Sequence, residues 1–73
     1  MLNIADYIVI NKDIRFGKPS VKGTRITVAD VLTWLAEGSS AEEIIENYPH
    51  LNKEQITACL KYAASKEIKL AVA

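Results

Sequence analysis

Four groups of residues carry reactive or ligating potential: the single histidine His50, the single cysteine Cys59, the carboxylates Glu42, Glu43 and Glu46, and the cations Lys18, Lys22 and Arg25 in a glycine-punctuated segment. Nucleophilic or general acid–base catalysis needs a nucleophile and a base within hydrogen-bond reach. His50 follows Pro49 in a predicted turn with no cysteine nearby, so a turn or cap contact is its simpler role. Cys59 falls on an apolar helical stripe, where a free thiol behaves as a small hydrophobe. Glu42, Glu43 and Glu46 form a carboxylate cluster, but no histidine joins them as a metal site would want. They occupy the first turns of a predicted helix, where anions complement the dipole. The chain is therefore expected to be no enzyme and to hold no metal or cofactor.

The cations point elsewhere. Between Asn11 and Val28 stand Lys12, Asp13, Arg15, Lys18, Lys22 and Arg25, five positive charges against one negative, a net of +4. The whole chain is formally neutral, so the remainder carries −4. One basic face on a neutral molecule attracts an anionic partner, either nucleic-acid phosphates or an acidic protein surface. Pro19 and Gly23 exclude a single helix through Lys18, Lys22 and Arg25, so this is no amphipathic membrane segment. The phosphate-cradling Gly-x-x-x-x-Gly-Lys-Ser/Thr pattern is absent as well.

The elements that must position these residues follow from periodicity. Tyr7-Ile8-Val9-Ile10 reads as a strand closed by Asn11-Lys12-Asp13. Val21 or Arg25-Ile26 supplies short extended pieces to pair with it, and Pro19 confines any strand containing it to an edge or an end. Apolar residues then recur at i, i+3, i+4 and i+7 three times: Val28, Val31, Leu32, Leu35; Ala41, Ile44, Ile45, Tyr48; Ile56, Cys59, Leu60, Ala63. Thr27 suits the first N-cap and Gly38 a left-handed residue past that helix. Ser40 with Glu43, and Asn52 with Gln55, are capping signatures for the second and third. Pro49 stops the second helix, and the third extends to about residues 66–69. The tail from Leu70 to Ala73 is expected to fray or dock on something else.

These signals predict one domain over 1–73: an N-terminal strand and basic loop over 1–27, and a tri-helical core over 28–69. The fold class is mainly α with a short N-terminal β strand or hairpin. A short middle helix, a tight turn and a longer helix match a helix-turn-helix unit. Off the apolar stripe of helix three lie Lys53, Glu54, Thr57, Ala58 and Lys61. In a recognition helix, Lys53, Glu54 and Thr57 would approach base edges and Lys61 the backbone. Trp34 lies off the main stripe of helix one, so it packs under the N-terminal strand or anchors an interface with another subunit.

Seventy-three residues make a small domain, one that buries only about 60% of its unfolded surface. One cysteine permits no internal disulfide, so self-association or a partner is the expected source of added stability. The N-terminus lacks a signal-peptide pattern, and no apolar run approaches the roughly 18 residues of a membrane span. A soluble cytoplasmic protein is expected.

The run Gly17-Lys18-Pro19-x-Val21-x-Gly23-Thr24-Arg25-Ile26-x-Val28 continues into Leu32, Leu35-Ala36-x-Gly38-Ser39 and Glu43-Ile44. Tyr48-Pro49-x-Leu51, Gln55-Ile56 and Leu60-x-Tyr62-Ala63 complete the pattern. In these residues the chain resembles the domain-of-unknown-function-433 family, over roughly residues 7 to 64. The resemblance implies a homeodomain-like, helix-turn-helix three-helix core. It further implies an antitoxin role: a homodimer that binds operator DNA and neutralises a nuclease toxin with a PIN-like fold. Lys18, Lys22, Arg25, Lys53, Thr57 and Lys61 are then the candidate DNA or partner contacts. The brief C-terminal tail departs from the long wrapping extensions of many antitoxins, so toxin contact would use the folded surface or the last few residues. The competing expectation is a protein-interaction module without DNA affinity, working through the basic edge and Trp34.

Overall fold

Three polar residues start three helices in the computed structural model, which describes residues 2–66. Thr27 caps α1 (Val28–Ala36), Ser40 caps α2 (Ala41–Asn47) and Asn52 caps α3 (Lys53–Ser65). Each cap is reciprocal. The cap side chain accepts the N–H three residues on, and that residue's side chain (Asp30, Glu43 or Gln55) accepts the cap's own N–H at 2.7–3.0 Å. Two donors that a helix N-terminus would leave orphaned are satisfied at each start. Gly38 ends α1 with φ +104°, a conformation that an L side chain adopts only under strain, and its N–H donates to the Leu35 carbonyl at 3.0 Å.

Ahead of the helices lies a small antiparallel hairpin. β1 (Ile8–Val9) pairs with β2 (Ser20–Val21), Ile8 opposite Val21 and Val9 opposite Ser20. The predicted four-residue strand is thus cut to two residues. β2 begins directly after Pro19, as the missing N–H of proline requires. Of the two expected partners of the first strand only Val21 pairs with it; Ile26 pairs with Val21 instead. Val21 joins the ladder, and it also donates to the Ile26 carbonyl at 2.8 Å while Ser20 bridges Thr27. Gly23, at φ +82°, makes the tight return between them, and the Thr24 hydroxyl closes it by donating to the Val21 carbonyl and accepting from the Ile26 N–H.

The core is filled by Ile8, Val21, Ile26, Val28, Val31, Ile44, Leu51, Ile56, Ala58 and Cys59. Among the described residues the fold is mainly α with a short N-terminal hairpin, as expected. Leu51 plugs the core from the turn between α2 and α3. The stripe predicted for α3 needs correction: Leu60 is 47% exposed, whereas Ala58, placed off the stripe, is fully buried. At 100° per residue the buried arc is turned by roughly 60° from the predicted one. α3 packs not only on α1 and α2 but also on β1 and the 3-10 turn Ile4–Asp6, so it is covered from more than one side.

Trp34 is half-buried against the core. Its ring stacks on Tyr48 at the end of α2, centroids 4.6 Å apart and 12° from parallel, and His50 meets Tyr48 edge-on. The tail Leu70–Ala73, and any extension of α3 past Lys66, lie outside the described residues. No helix among those residues is long and apolar enough to cross a membrane.

Candidate functional site: a clipped cationic loop

The segment between the two strands is short, polar and held at several points. The Asn11 side chain accepts the Asp13 N–H at 2.9 Å, and the Asn11 carbonyl accepts the Ile14 N–H at 2.8 Å. Arg15, Phe16 and Gly17 then follow one another in the left-handed region, at φ +48°, +60° and +80°. Two of the three carry side chains, and each such residue is strained by roughly 1–2 kcal/mol.

A clip holds the turn in this shape. The Arg15 guanidinium donates to the Arg25 carbonyl at 2.8 Å and to the Asp30 carboxylate at 3.0 Å. The same Asp30 oxygen accepts the Thr27 N–H, so one carboxylate starts α1 and fastens the loop. Burial pushes the Asp30 carboxyl upward, but the hydrogen bonds from the Thr27 backbone, Arg15 and Thr27 hydroxyl, with the Arg15 charge, outweigh it and hold its pKa below the usual carboxylate value.

This pairing removes Arg15 from the charge offered to a ligand. Among the described residues Lys18, Lys22 and Arg25 are exposed and make no ion pair, so all three remain available, as does Lys12. The Arg15–Asp30 clip escapes a reading of the sequence because Arg15 counts there only toward the basic total. Asp30, three residues after the cap Thr27, was the available signal for an acceptor at that end of the helix.

The residues expected on α3 are placed differently. Lys53, Thr57 and Lys61 do share its exposed face, with Leu60 among them. Lys53, however, pairs with Glu42 of α2 at 3.4 Å. Glu42 is fully exposed, and its pKa is lowered by its own backbone N–H and then by Lys53. That contact links Glu42, in the first turn of α2, to Lys53 at the start of α3, whose first turn also carries Glu54; a pair this exposed adds little to stability. The basic loop joins the other end of α3. Pro19 closes an apolar groove whose walls are Ala29 and Leu32 of α1 and Tyr62, Ala63 and Lys66 at the α3 C-terminus, with a volume of about 280 Å³. Tyr62 and Lys66 are roughly 14–20 Å along the helix axis from Lys53. Among the described residues the six candidate contacts divide into Lys18, Lys22 and Arg25, ahead of α1, and Lys53, Thr57 and Lys61 along α3.

Cys59 is buried in the core, and burial pushes its thiol up to about 11. A thiol so protonated is a poor nucleophile at neutral pH. No three His, Cys, Asp or Glu side chains among the described residues group as metal ligands would.

Comparison with known proteins gives a consistent result. The family described as "Protein of unknown function (DUF433)" matches residues 8–63. The uncharacterized protein y4eO of Sinorhizobium fredii is 34% identical over 64 residues, which is 88% of this chain and 29% of the relative. The chain thus spans under a third of that relative's length. A crystal structure of a DUF433 member protein from Anabaena variabilis superposes with a TM-score of 0.77 at 28% identity, over 80% of this chain and 57% of that one.

Proposed function

The chain belongs to the DUF433 family, and we propose that it is an antitoxin-type binding module whose cationic loop engages an acidic partner, most simply a nuclease of the PIN-like class. The observation that carries this reading is the separation of charge. Among the described residues Lys18, beside the Arg15 clip, and Lys22 and Arg25, in the Gly23 return, are exposed and make no ion pair, while Glu42 and Glu43 stand in the first turn of α2 and Glu54 in that of α3. Nucleases that use metal ions hold them with carboxylates, and such a centre attracts a rigid cationic intruder. Helix-turn-helix docking would instead press three glutamates toward the DNA backbone.

Operator DNA remains the second reading, favoured by the same unpaired cations, which can grip phosphates without help from α3. A homodimer would place two such loops on one duplex.

Co-expression with the product of the adjacent reading frame tests the primary reading. A stable complex that is lost in the triple variant Lys18→Glu, Lys22→Glu, Arg25→Glu, with an unchanged melt, supports it. Separate elution of the wild-type proteins removes it. Titration with the upstream DNA separates the second reading, which requires an affinity that falls steeply with salt and depends on sequence.

A further inference from the structure

We infer that Phe16 is the anchor of the loop's interface, and that its partner is a folded protein with an apolar pocket edged by carboxylates. This contact rests on the binding reading above and names the chemistry that the partner must present.

Phe16 is the chain's single phenylalanine, and it is 95% exposed. Its backbone lies at φ +60°, directly after Arg15 at φ +48°. Two backbone bonds brace the turn: the Gly17 N–H donates to the Ile14 carbonyl at 3.1 Å, and the Lys18 N–H to the Arg15 carbonyl at 3.2 Å. The Arg15 guanidinium ties the same turn to Asp30 and to the Arg25 carbonyl. A strained conformation persists only where its surroundings over-determine it. Here they hold an aromatic ring out into water. An anchor fixed in advance loses less freedom on binding than one that must first be ordered.

Cations flank this turn on both sides. Lys18 is two residues on, so its Cα lies within about 7 Å of that of Phe16. From the other side, the Lys12 Cα is 3.6 Å from where a Cβ on Gly17 would stand. That puts the Cα atoms of Lys12 and Phe16 within about 9 Å of each other. Both lysines are exposed, and neither makes an ion pair among the described residues.

Magnitudes divide the work between charge and ring. An exposed ion pair improves affinity by at most about fivefold, so a few lysines steer a partner without holding it. A buried aromatic anchor improves it by about thirtyfold or more. Of the exposed large hydrophobic residues described, Phe16 exceeds Ile10 and Leu60, and it is the one inside the braced turn.

The same exposure selects the class of partner. A duplex covers such a ring only by unstacking a base step, which costs free energy. A base of a single strand stacks on one face and leaves the edge wet. A pocket in a folded protein covers faces and edge together, and a rigid knob suits a preformed hole. Carboxylates at its mouth complement Lys12 and Lys18.

Growth on para-fluorophenylalanine labels Phe16 alone, because the chain has no other phenylalanine. Fluorine NMR of the full chain is then followed with the purified product of the adjacent reading frame, and separately with a single-stranded and a duplex oligonucleotide. The expected result is a protein complex in which the fluorine signal moves and loses its shift between H2O and D2O. Phe16→Ala, with an unchanged melt, should raise Kd by about thirtyfold or more at low and high salt alike. Lys18→Ala should raise it by about fivefold or less, and only at low salt. A complex whose fluorine stays wet, or whose Kd ignores Phe16→Ala, overturns the anchor and leaves the binding reading standing. A ring covered by an oligonucleotide but not by the protein overturns it as well. No complex at all removes the binding reading and the anchor with it.

Discussion

Replacing Asp30 by Ala should weaken this fold far more than an ordinary change on a partly exposed helix surface. One oxygen of Asp30 accepts both the Thr27 N–H and the Arg15 guanidinium, each at 3.0 Å. Thr27 is buried, so its N–H would be orphaned, at a cost of about 1–3 kcal/mol. The ion pair is about one-third exposed on both sides, which limits its share to roughly 0.5–1 kcal/mol. Alanine's better helix propensity returns about 0.5 kcal/mol. The net loss is about 2 kcal/mol, to be set against a total of roughly 4–11 kcal/mol for a chain this long. In a domain this small it corresponds to a fall in Tm of about 8–16 °C. Asp30→Asn keeps an acceptor for Thr27 and gives up only the charge, so it should lose less than half as much. Thermal melts followed by far-ultraviolet circular dichroism measure both. A fall of less than about 3 °C for Asp30→Ala, or equal losses for Ala and Asn, would refute the shared-oxygen account.

Three further outcomes follow from the same structure. Because the Asp30 pKa is lowered on folding, its ionisation stabilises the protein above the unfolded value near 3.9, and that contribution is lost as pH falls through the folded value. The stability gap between wild type and Asp30→Asn should thus be flat above about pH 5 and close below about pH 4 in acid titrations. Leu60→Ala should cost under about 1 kcal/mol in urea melts, since Leu60 is half-exposed, whereas Ile44→Ala should cost about 2–5 kcal/mol; equal losses would mean that the α3 register is wrong. Cys59, buried with its thiol raised to about 11, should react with a thiol reagent at pH 8 only as fast as the protein opens. Labelling much faster than hydrogen exchange of the core would contradict its burial.

What the sequence made legible was local. Thr27, Ser40, Asn52 and Gly38 all act within four residues of themselves, and each occupies its predicted place. The hairpin partners were narrowed to Val21 or Ile26 because proline and glycine leave few extended positions between them. The misreadings are long-range. On α3 a leucine outweighed an alanine in the periodic pattern, yet several elements pack on that helix, and Ala58 is buried while Leu60 is not. Nothing in the residue types of Arg15 and Phe16 favours a left-handed turn. Arg15 is held there by Arg25 and Asp30, ten and fifteen positions away. The Trp34–Tyr48 stack likewise joins two helices across fourteen positions.

If the loop binds an anion as proposed, the long-range clip gives Asp30 a part in that binding, and two effects of removing it oppose each other. Asp30→Ala deletes a negative charge and frees Arg15, so electrostatics alone would tighten the grip on an anion. Two unit charges about 10 Å apart in water gain only about 0.4 kcal/mol, and salt reduces this further. Against that, the turn at residues 15–17 loses its fastening. Reordering its backbone on binding costs about 1–2 kcal/mol for each residue released. Ordering exceeds charge several-fold, so the more positive variant should bind more weakly. A titration of wild type, Asp30→Ala and Lys22→Ala with whichever anionic partner the wild type binds, the acidic protein or duplex DNA, at a temperature where all three are folded, measures this directly. Asp30→Ala should lose affinity at least as Lys22→Ala does, although one variant gains net positive charge and the other loses it. Tighter binding by Asp30→Ala would mean that the loop acts through its charge alone, and that its clipped shape contributes nothing to recognition.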